Sequence, residues 1–272
     1  MSTATPHPSW TSITLDRAVV ELKEFFRSRE QMIFIFAFPI IFLVLFGSIF
    51  GDQYLSDTDV TFAQYFVAGM IATGIINTGF QSLAITIAID RDADALKRLR
   101  ATPLPSTAYF VGKLIQVFIV SVIQIAILIG MGVVFYDLQV PSTVDAWLTF
   151  TWVFLLGTGA SVTLGIATSS LLRNAKAASA ILTPVVLVLQ FTSGVFVVFT
   201  QLPGLLQGFA EVFPLKWLAQ GMRSVFLPGY FADAEARGSW EHPAGAIVMA
   251  VWMALGLVVA VRTFRWLRHD DK

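Results

Sequence analysis

The chain contains no cysteine, only three histidines and few charged residues, and each shortage excludes a class of function. Without cysteine there is no disulfide framework, thiol nucleophile or thiolate metal site. The histidines, His7, His242 and His269, are too scattered for a cluster, so we expect no bound metal. Charged residues make up 13% of the 272 residues, against about 25% in ordinary globular chains. A soluble domain could not cover its surface with so few charges.

Apolar residues dominate what remains. They account for 56% of the chain, and the mean hydropathy is +0.73. Basic and acidic residues number 18 each, so the net charge is zero, and no basic stretch is long enough to bind the phosphates of a nucleic acid. The composition therefore predicts an all-α integral membrane protein, with the lipid bilayer as its surroundings and no nucleic-acid partner.

Six apolar stretches are long enough to cross a bilayer, since a core about 30 Å thick takes roughly 20 helical residues. They cover residues 31–50, 61–89, 114–136, 146–172, 177–200 and 244–261. The predicted organisation is an N-terminal segment (1–30), a six-span transmembrane domain (31–261) and a tail (262–272).

The segment between the fifth and sixth spans holds two shorter apolar stretches, 203–213 and 214–227. Each begins with a proline, which suits the first turn of a helix. Because both are too short to span, we expect two short helices that re-enter the membrane from outside. An ordinary surface loop is the alternative interpretation.

The distribution of lysine and arginine predicts the orientation. These residues concentrate before the first span, after the second, after the fourth and in the tail, whereas the loops after the first and third spans contain aspartates and no base. Both termini are therefore expected to be cytoplasmic, in a multi-pass protein of the plasma (inner) membrane. No cleavable signal peptide is expected, because the 30 residues before the first span are charged with both signs.

The N-terminal segment has an apolar stripe at helical spacing, formed by Leu15, Val19, Leu22 and Phe26. Charged residues lie off this stripe, which is typical of an amphipathic helix in the membrane interface. The pattern fits a helix with a role in signalling and a plain anchoring helix equally well.

The predicted spans contain no Asp, Glu, Lys, Arg or His, and this argues against a proton-coupled transporter. The chain also lacks a nucleotide-binding glycine-rich motif, since Gly112–Lys113 is followed by Leu114. We therefore expect the chain to be no enzyme and to bind no cofactor of its own. Any energy for work must enter through another protein.

Two spans carry small or polar residues every fourth position. The stripe on the fourth span, Gly157, Ser161, Gly165 and Ser169, predicts a seam of helix packing. The stripe on the second span is Gly69, Thr73, Asn77 and Gln81. Its two amides are costly to expose to lipid. They either hydrogen-bond between helices or line a path through the protein.

The loop after the second span predicts a short amphipathic helix that ends before Pro103, because a residue preceding proline avoids helical angles. Leu96 and Leu99 supply its apolar positions, among basic residues. Such a helix is suited to docking on a soluble partner. A simple positive anchor on the cytoplasmic side is the competing interpretation.

The most specific signal of the chain is the loop with Arg91, Asp92, Leu96, Arg98, Leu99, Thr102 and Pro103. At these positions the loop resembles that of membrane subunits of ABC-2 type exporters, a class that includes drug, lipid and polysaccharide exporters. It departs at Asp94 and Ala95, where the family usually has Gly-Thr. Further matches are Tyr65-Phe66-Val67-Ala68-Gly69 (with Ala68 in place of proline), Ser193-Gly194-Val195-Phe196, Leu202-Pro203, Phe213-Pro214-Leu215 and Gly221-Met222-Arg223.

The resemblance implies a permease subunit that works as a dimer with an identical or homologous protomer. A separate cytoplasmic subunit would bind ATP and Mg. The coupling residues would be Asp90, Arg91, Asp92, Leu96, Lys97, Arg98, Leu99, Thr102 and Pro103. The substrate path would include Thr73, Asn77, Gln81, Gln190 and Phe191. The expected substrate is an amphipathic or hydrophobic small molecule or a lipid. An ion-coupled secondary transporter and a non-transporting membrane scaffold are the alternatives.

Overall fold

A computed structural model describes residues 9–55, 58–102 and 104–263. The described residues form helices and connecting turns without a β-strand, and one isolated bridge joins Tyr54 to Thr61. In chain order the elements are α1 (Trp10–Arg27), α2 (Arg29–Phe50), α3 (Phe62–Ile76), a π-helix (Asn77–Ser82), α4 (Leu83–Asp92), α5 (Ala95–Arg100), α6 (Ser106–Tyr136), α7 (Val144–Leu171), α8 (Ala175–Thr192), a 3-10 helix (Phe199–Gln201), α9 (Gly204–Glu211), α10 (Pro214–Phe226), a second 3-10 helix (Gly229–Ala234) and α11 (His242–Thr263).

The described part of the chain contains six helices long and apolar enough to cross a membrane, which confirms that prediction. They are α2, the continuous helix Phe62–Asp92, α6, α7, α8 and α11. Two predicted boundaries differ from the structure by more than about three residues. Helix α6 begins at Ser106 rather than at residue 114, because Lys113 is paired with carboxylates inside the protein. Helix α8 ends at Thr192 rather than at residue 200, because Gly194 has a φ of 74°.

Helix α3 is the centre of the bundle. Every residue of it except Gln64 is buried, and α2, α6, α7 and α10 pack around it. Helices α2, α8 and α11 lie outside and carry many exposed apolar side chains. This arrangement is the one expected of a chain surrounded by lipid, because lipid tails solvate such side chains.

The small-residue stripe on α7 packs against the π-helix, which confirms the predicted seam. A Cβ built on Gly165 would lie 2.5 Å from the carbonyl oxygen of Gly79. One built on Gly79 would lie 2.7 Å from Cβ of Ser161. The small side chains therefore let α7 approach the backbone of the π-helix closely.

Gly165→Val is expected to lower the thermal stability of the chain, because backbone atoms of the π-helix cannot move aside for the new side chain. Overpacking of this kind costs about 1–3 kcal/mol. Gly130→Ala is the control, because no atom of the described residues lies within 4 Å of a Cβ at Gly130. Thermal unfolding of the purified chain in detergent measures both. Equal midpoints for Gly165→Val and the control would show that the seam is not tightly packed.

Two short helices follow α8, as predicted, and α9 and α10 begin at or directly after Pro203 and Pro214. Helix α10 is almost entirely buried against α3, α7 and α11. It carries Lys216 and Arg223 into the protein interior. Re-entry of these helices from outside stays a prediction.

Three of the motifs noted in the sequence meet at Arg223. Its guanidinium lies 4.6 Å from the ring centroid of Tyr65 and donates to the carbonyl oxygen of Gly194 at 3.3 Å. It also donates to both carboxylate oxygens of Glu235, at 2.6 and 3.2 Å. A side chain at Gly194 would be strained by its positive φ and would lie 2.8 Å from Cβ of Phe199. We call Tyr65, Gly194, Arg223 and Glu235 the arginine junction.

Candidate functional site

A cleft of about 440 Å³ lies between α1, the start of α2, the π-helix, α4 and α6. It combines carboxylates, amides and hydroxyls with apolar side chains. Its lining consists of Glu21, Glu24, Phe25, Ser28, Glu30, Gln31, Phe34, Ile35, Asn77, Gln81, Ser82, Ile85, Thr86, Ile89, Asp90 and Gln116. Such a mixture within one concave surface is typical of a ligand-binding site.

The π-helix shapes one wall of this cleft. In a π turn each N–H bonds to the carbonyl five residues back, and such turns are frequent at functional sites. The extra residue rotates the side chains that follow it relative to those before it. Thr73, one α-helical turn earlier, is fully buried, and its hydroxyl has no hydrogen-bond partner among the described residues. Asn77 and Gln81 instead line the cleft.

The two amides also bond to α8. Gln190 Nε2 donates to Asn77 Oδ1 at 3.1 Å, and Gln81 Nε2 donates to Thr183 Oγ1 at 3.0 Å. The interhelical pairing left open by the sequence is therefore present, and both side chains also line the cleft. That the cleft is part of a path for substrate stays a prediction. Gln190 is buried and does not line the cleft. Phe191 is 46% exposed on the outside of α8. The structure therefore brings neither residue into the cleft.

A buried charge cluster joins three helices beside the cleft. Lys113 of α6, 1% exposed, has its Nζ 2.6 Å from Glu21 Oε2 of α1 and 3.1 Å from Asp90 Oδ2 of α4. Arg17 also bonds to Glu21, and the Tyr109 hydroxyl donates to Asp90 at 3.1 Å. We call Arg17, Glu21, Asp90, Tyr109 and Lys113 the three-helix cluster.

This cluster changes one expectation from the sequence. The predicted spans contained no charged residue. The helices of the structure are longer than these spans, and they include Lys113 in α6 and Asp90, Arg91 and Asp92 at the end of α4. Lys113 and Asp90 neutralise each other, and burial of a charge is tolerated when it is paired.

Two further carboxylates in the cleft, Glu24 and Glu30, form no ion pair with any described residue. Loss of solvent raises the pKa of Glu24 above its ordinary value, and the neighbouring charge of Glu21 raises it further. Lys113 and Arg17 oppose this shift. The cleft is therefore acidic, and a cation close to Glu24 would favour its ionised form.

The predicted coupling loop is fixed to the junction of α7 and α8. Arg91 donates to the carbonyl oxygens of Leu172, at 3.1 Å, and Ser169, at the C-terminal end of α7. Asp92 accepts from the backbone N–H of Ala175 at 2.8 Å, at the start of α8. Both charges have the sign that the helix dipole favours at that end.

The short helix predicted in this loop is confirmed as α5. Leu96 is buried and Leu99 half-buried, whereas Arg98 is exposed. Lys97 is 3.0 Å from Asp94, and the Thr102 hydroxyl donates to the carbonyl oxygen of Leu99 at 2.6 Å. Pro103 lies outside the described residues.

Asp94 occupies the position where the sequence departs from the family pattern. Its φ is 54°, in the left-handed region. Glycine adopts this region freely, and aspartate is one of the few other residues that does so readily. The left-handed backbone at this position thus accounts for both the glycine that the family usually has here and the aspartate of this chain.

The stripe on α1 points away from the rest of the chain. Leu15, Val19 and Phe26 are exposed and Leu22 is half-buried, while Ala18 and Glu21 are buried on the face toward α6. The helix is confirmed, and its place in a membrane interface stays a prediction.

Comparison with known proteins decides the family. Residues 18–227, which include the arginine junction's Tyr65, Gly194 and Arg223 and the whole of α5, match the ABC-2 type transporter family. The chain belongs to the ABC-2 type transporter family. Its six apolar helices are therefore the transmembrane helices of a transport permease.

Two curated relatives of this ABC-2 chain are permeases. It is 23% identical over 191 residues to the inner membrane transport permease YadH of Escherichia coli K12, covering 69% of this chain and 72% of that protein. It is 21% identical over 206 residues to the putative transport permease YvfS of Bacillus subtilis, covering 75% of this chain and 82% of that protein.

Sequence reasoning missed several residues of the site. Glu21 follows Arg17 by four residues, and Lys113 follows a glycine at an apolar boundary, but neither pattern shows that the two helices meet. Gln31 donates to Ser82 Oγ and Thr86 Oγ1, at 2.9 and 3.1 Å, and no signal in its surroundings indicates this.

Proposed function

We propose that this chain is the permease subunit of an ATP-driven exporter, with ATP and Mg bound by a separate cytoplasmic subunit. The three-helix cluster carries the proposal. It ties α1 and the end of α4, which precedes α5, to α6, and Glu21 and Asp90 also line the cleft. A push on either cytoplasmic element would therefore reshape the cleft. An amphipathic small molecule or a lipid is the proposed cargo.

Membrane placement follows from the same proposal. The end of the bundle that holds α1 and α5 faces the cytoplasm, as the positive-inside rule favours, and α9 and α10 re-enter from outside. The name of the Escherichia coli relative supports an inner membrane location. The stripe of α1 would lie in the interface, and the exposed apolar faces of α2 and α8 would contact a second protomer or lipid.

Arg98 is the residue with which to test coupling, because it is exposed on α5 and its change leaves the loop anchored by Arg91 and Asp92. Arg98→Glu is expected to abolish energy-dependent extrusion without lowering the amount of protein in the membrane. Arg237→Glu, which changes a 56% exposed arginine elsewhere, is the control. The readout is cellular accumulation of fluorescent amphiphiles of positive, negative and no charge. Unchanged extrusion in Arg98→Glu would contradict the proposal.

The cleft amides allow a second test, because Asn77 and Gln190 share one hydrogen bond and only Asn77 lines the cleft. Asn77→Leu and Gln190→Leu should each cost about 0.6 kcal/mol of stability, the average for such bonds between membrane helices. We expect Asn77→Leu alone to alter which of the amphiphiles is extruded. The same profile in both variants would remove Asn77 from the path.

A further inference from the structure

The geometry points to a primary ammonium group on an apolar tail as the chemistry that the cleft binds. This inference rests on the proposed function, because it names the class of molecule that the path accepts. A free cationic amphiphile and an aminolipid head group would both supply that chemistry.

The charge of the lining favours a cation. Among the described residues, four carboxylates face the cleft, those of Glu21, Glu24, Glu30 and Asp90, and no lysine, arginine or histidine lines it. Arg17 and Lys113 neutralise Glu21 and Asp90 from behind. Glu24 and Glu30 are then left without a counter-ion among the described residues. A bound ammonium would supply the missing charge, whereas an anion would be repelled.

Unused hydrogen-bonding groups give a second, independent reason. Gln116 is 8% exposed and lines the cleft, and its side-chain amide has no hydrogen bond to any described residue. Gln81 bonds through its Nε2, which leaves its Oε1 without a partner in the described part of the chain. Both residues line the cleft, so these groups are open to a ligand that enters it. An ammonium has three N–H donors and no acceptor, and therefore matches carbonyl and carboxylate oxygens.

Apolar side chains at the edge of the cleft would hold the tail. Phe34 of α2 and Ile89 of α4 both line the cleft and are 52% and 49% exposed. Both belong to membrane-spanning helices, so a tail lying along them would leave the cleft toward the lipid. The cleft therefore joins a polar, acidic end to an apolar exit.

The test is direct binding to the purified chain in nanodiscs, without any ATP-binding subunit. The probe is a ten-carbon diamine with a dansyl group on one end and a free ammonium on the other. Its N-acetyl derivative is the matched neutral ligand of nearly the same length. Fluorescence titrations are corrected with empty nanodiscs. We expect the ammonium probe to bind at least about tenfold more tightly than the acetylated one, because only it can pair with the carboxylates.

Variants then locate the binding. Glu24→Gln and Glu30→Gln, both at exposed positions, should each weaken binding of the ammonium probe by about fivefold, the effect of losing a partly exposed ion pair. Gln116→Leu should weaken it as well. Asp145→Asn, an exposed carboxylate outside the cleft, should change nothing. Equal affinity for the two probes, or unchanged affinity in the Glu24→Gln/Glu30→Gln double variant, would overturn the inference.

The lipid of the nanodisc separates the two sources of the ammonium group. Weaker probe binding in phosphatidylethanolamine than in phosphatidylcholine would assign the cleft to an aminolipid head group, and equal binding would assign it to a free amphiphile. Failure of this assay would leave the Arg98→Glu result intact, since no ATPase is present. Failure of the Arg98→Glu test would likewise leave the binding result intact.

Discussion

Glu235→Ala is expected to destabilise the fold by about 3–5 kcal/mol, the usual cost of removing one partner of a buried ion pair. Arg223 is fully buried, and Glu235 accepts from two of its nitrogens. Among the described residues, the guanidinium without that carboxylate keeps only the carbonyl oxygen of Gly194 and the face of Tyr65. The charge would then stay buried and largely uncompensated.

Thermal unfolding in detergent measures this effect, and a loss of that size should lower the midpoint by roughly 10 °C. Arg237→Gln is the control, since its ion pairs with Glu211 and Glu241 involve a side chain that is 56% exposed. Such pairs contribute about 0–1 kcal/mol. The double variant Arg223→Met/Glu235→Leu should recover much of the stability, because it removes both charges together. A midpoint for Glu235→Ala equal to that of the control would refute the junction's structural role.

Lys113→Met should release α1 from the bundle. Lys113 is the cation between Glu21 and Asp90, and without it those two carboxylates face each other in a buried site. We expect a cost of about 3 kcal/mol, at the lower end for a broken buried pair because Arg17 and Tyr109 still contact the carboxylates.

A single cysteine reports this release, because the chain has none of its own. Thr14→Cys places it on the buried face of α1, at a position 3% exposed. Its labelling by a soluble maleimide should become about 100-fold faster in Lys113→Met, since each 1.4 kcal/mol is a factor of ten. Lys97→Met breaks an exposed pair and should leave the rate unchanged. Slow labelling in Lys113→Met would mean that the cluster does not hold α1 in place.

The elements of this fold were predictable from local pattern. The lengths of the apolar runs gave the six spanning helices, Pro203 and Pro214 marked α9 and α10, and the loop's leucines gave α5. Each of these signals lies within one stretch of sequence and follows from bilayer thickness or from the fixed φ of proline.

The site was less predictable, because it depends on which helices meet. Asn77 and Gln81 were recognisable as costly amides, but the π-helix that turns them toward the cleft has no local sequence signature. Nothing in the sequence distinguished Glu24 and Glu30 from the other charged residues of the segment before the first span. Only the packing of α1 against α6, and of α2 against α3 and α6, brings them into a cleft that α4 also lines. The third span was predicted to begin after Lys113, so the sequence did not indicate that this residue joins three helices.

Crosslinking from Arg98 tests most directly whether α5 docks on an ATP-binding subunit. Arg98→Cys is the only cysteine of its variant, and it can carry a photoreactive maleimide in membranes where the chain is co-expressed with each ATP-binding subunit of its genome. The account predicts a crosslink from this position to one such subunit, and none from Arg237→Cys at the other end of the bundle. No crosslink from Arg98→Cys to any ATP-binding subunit, or an equal one from Arg237→Cys, would contradict it.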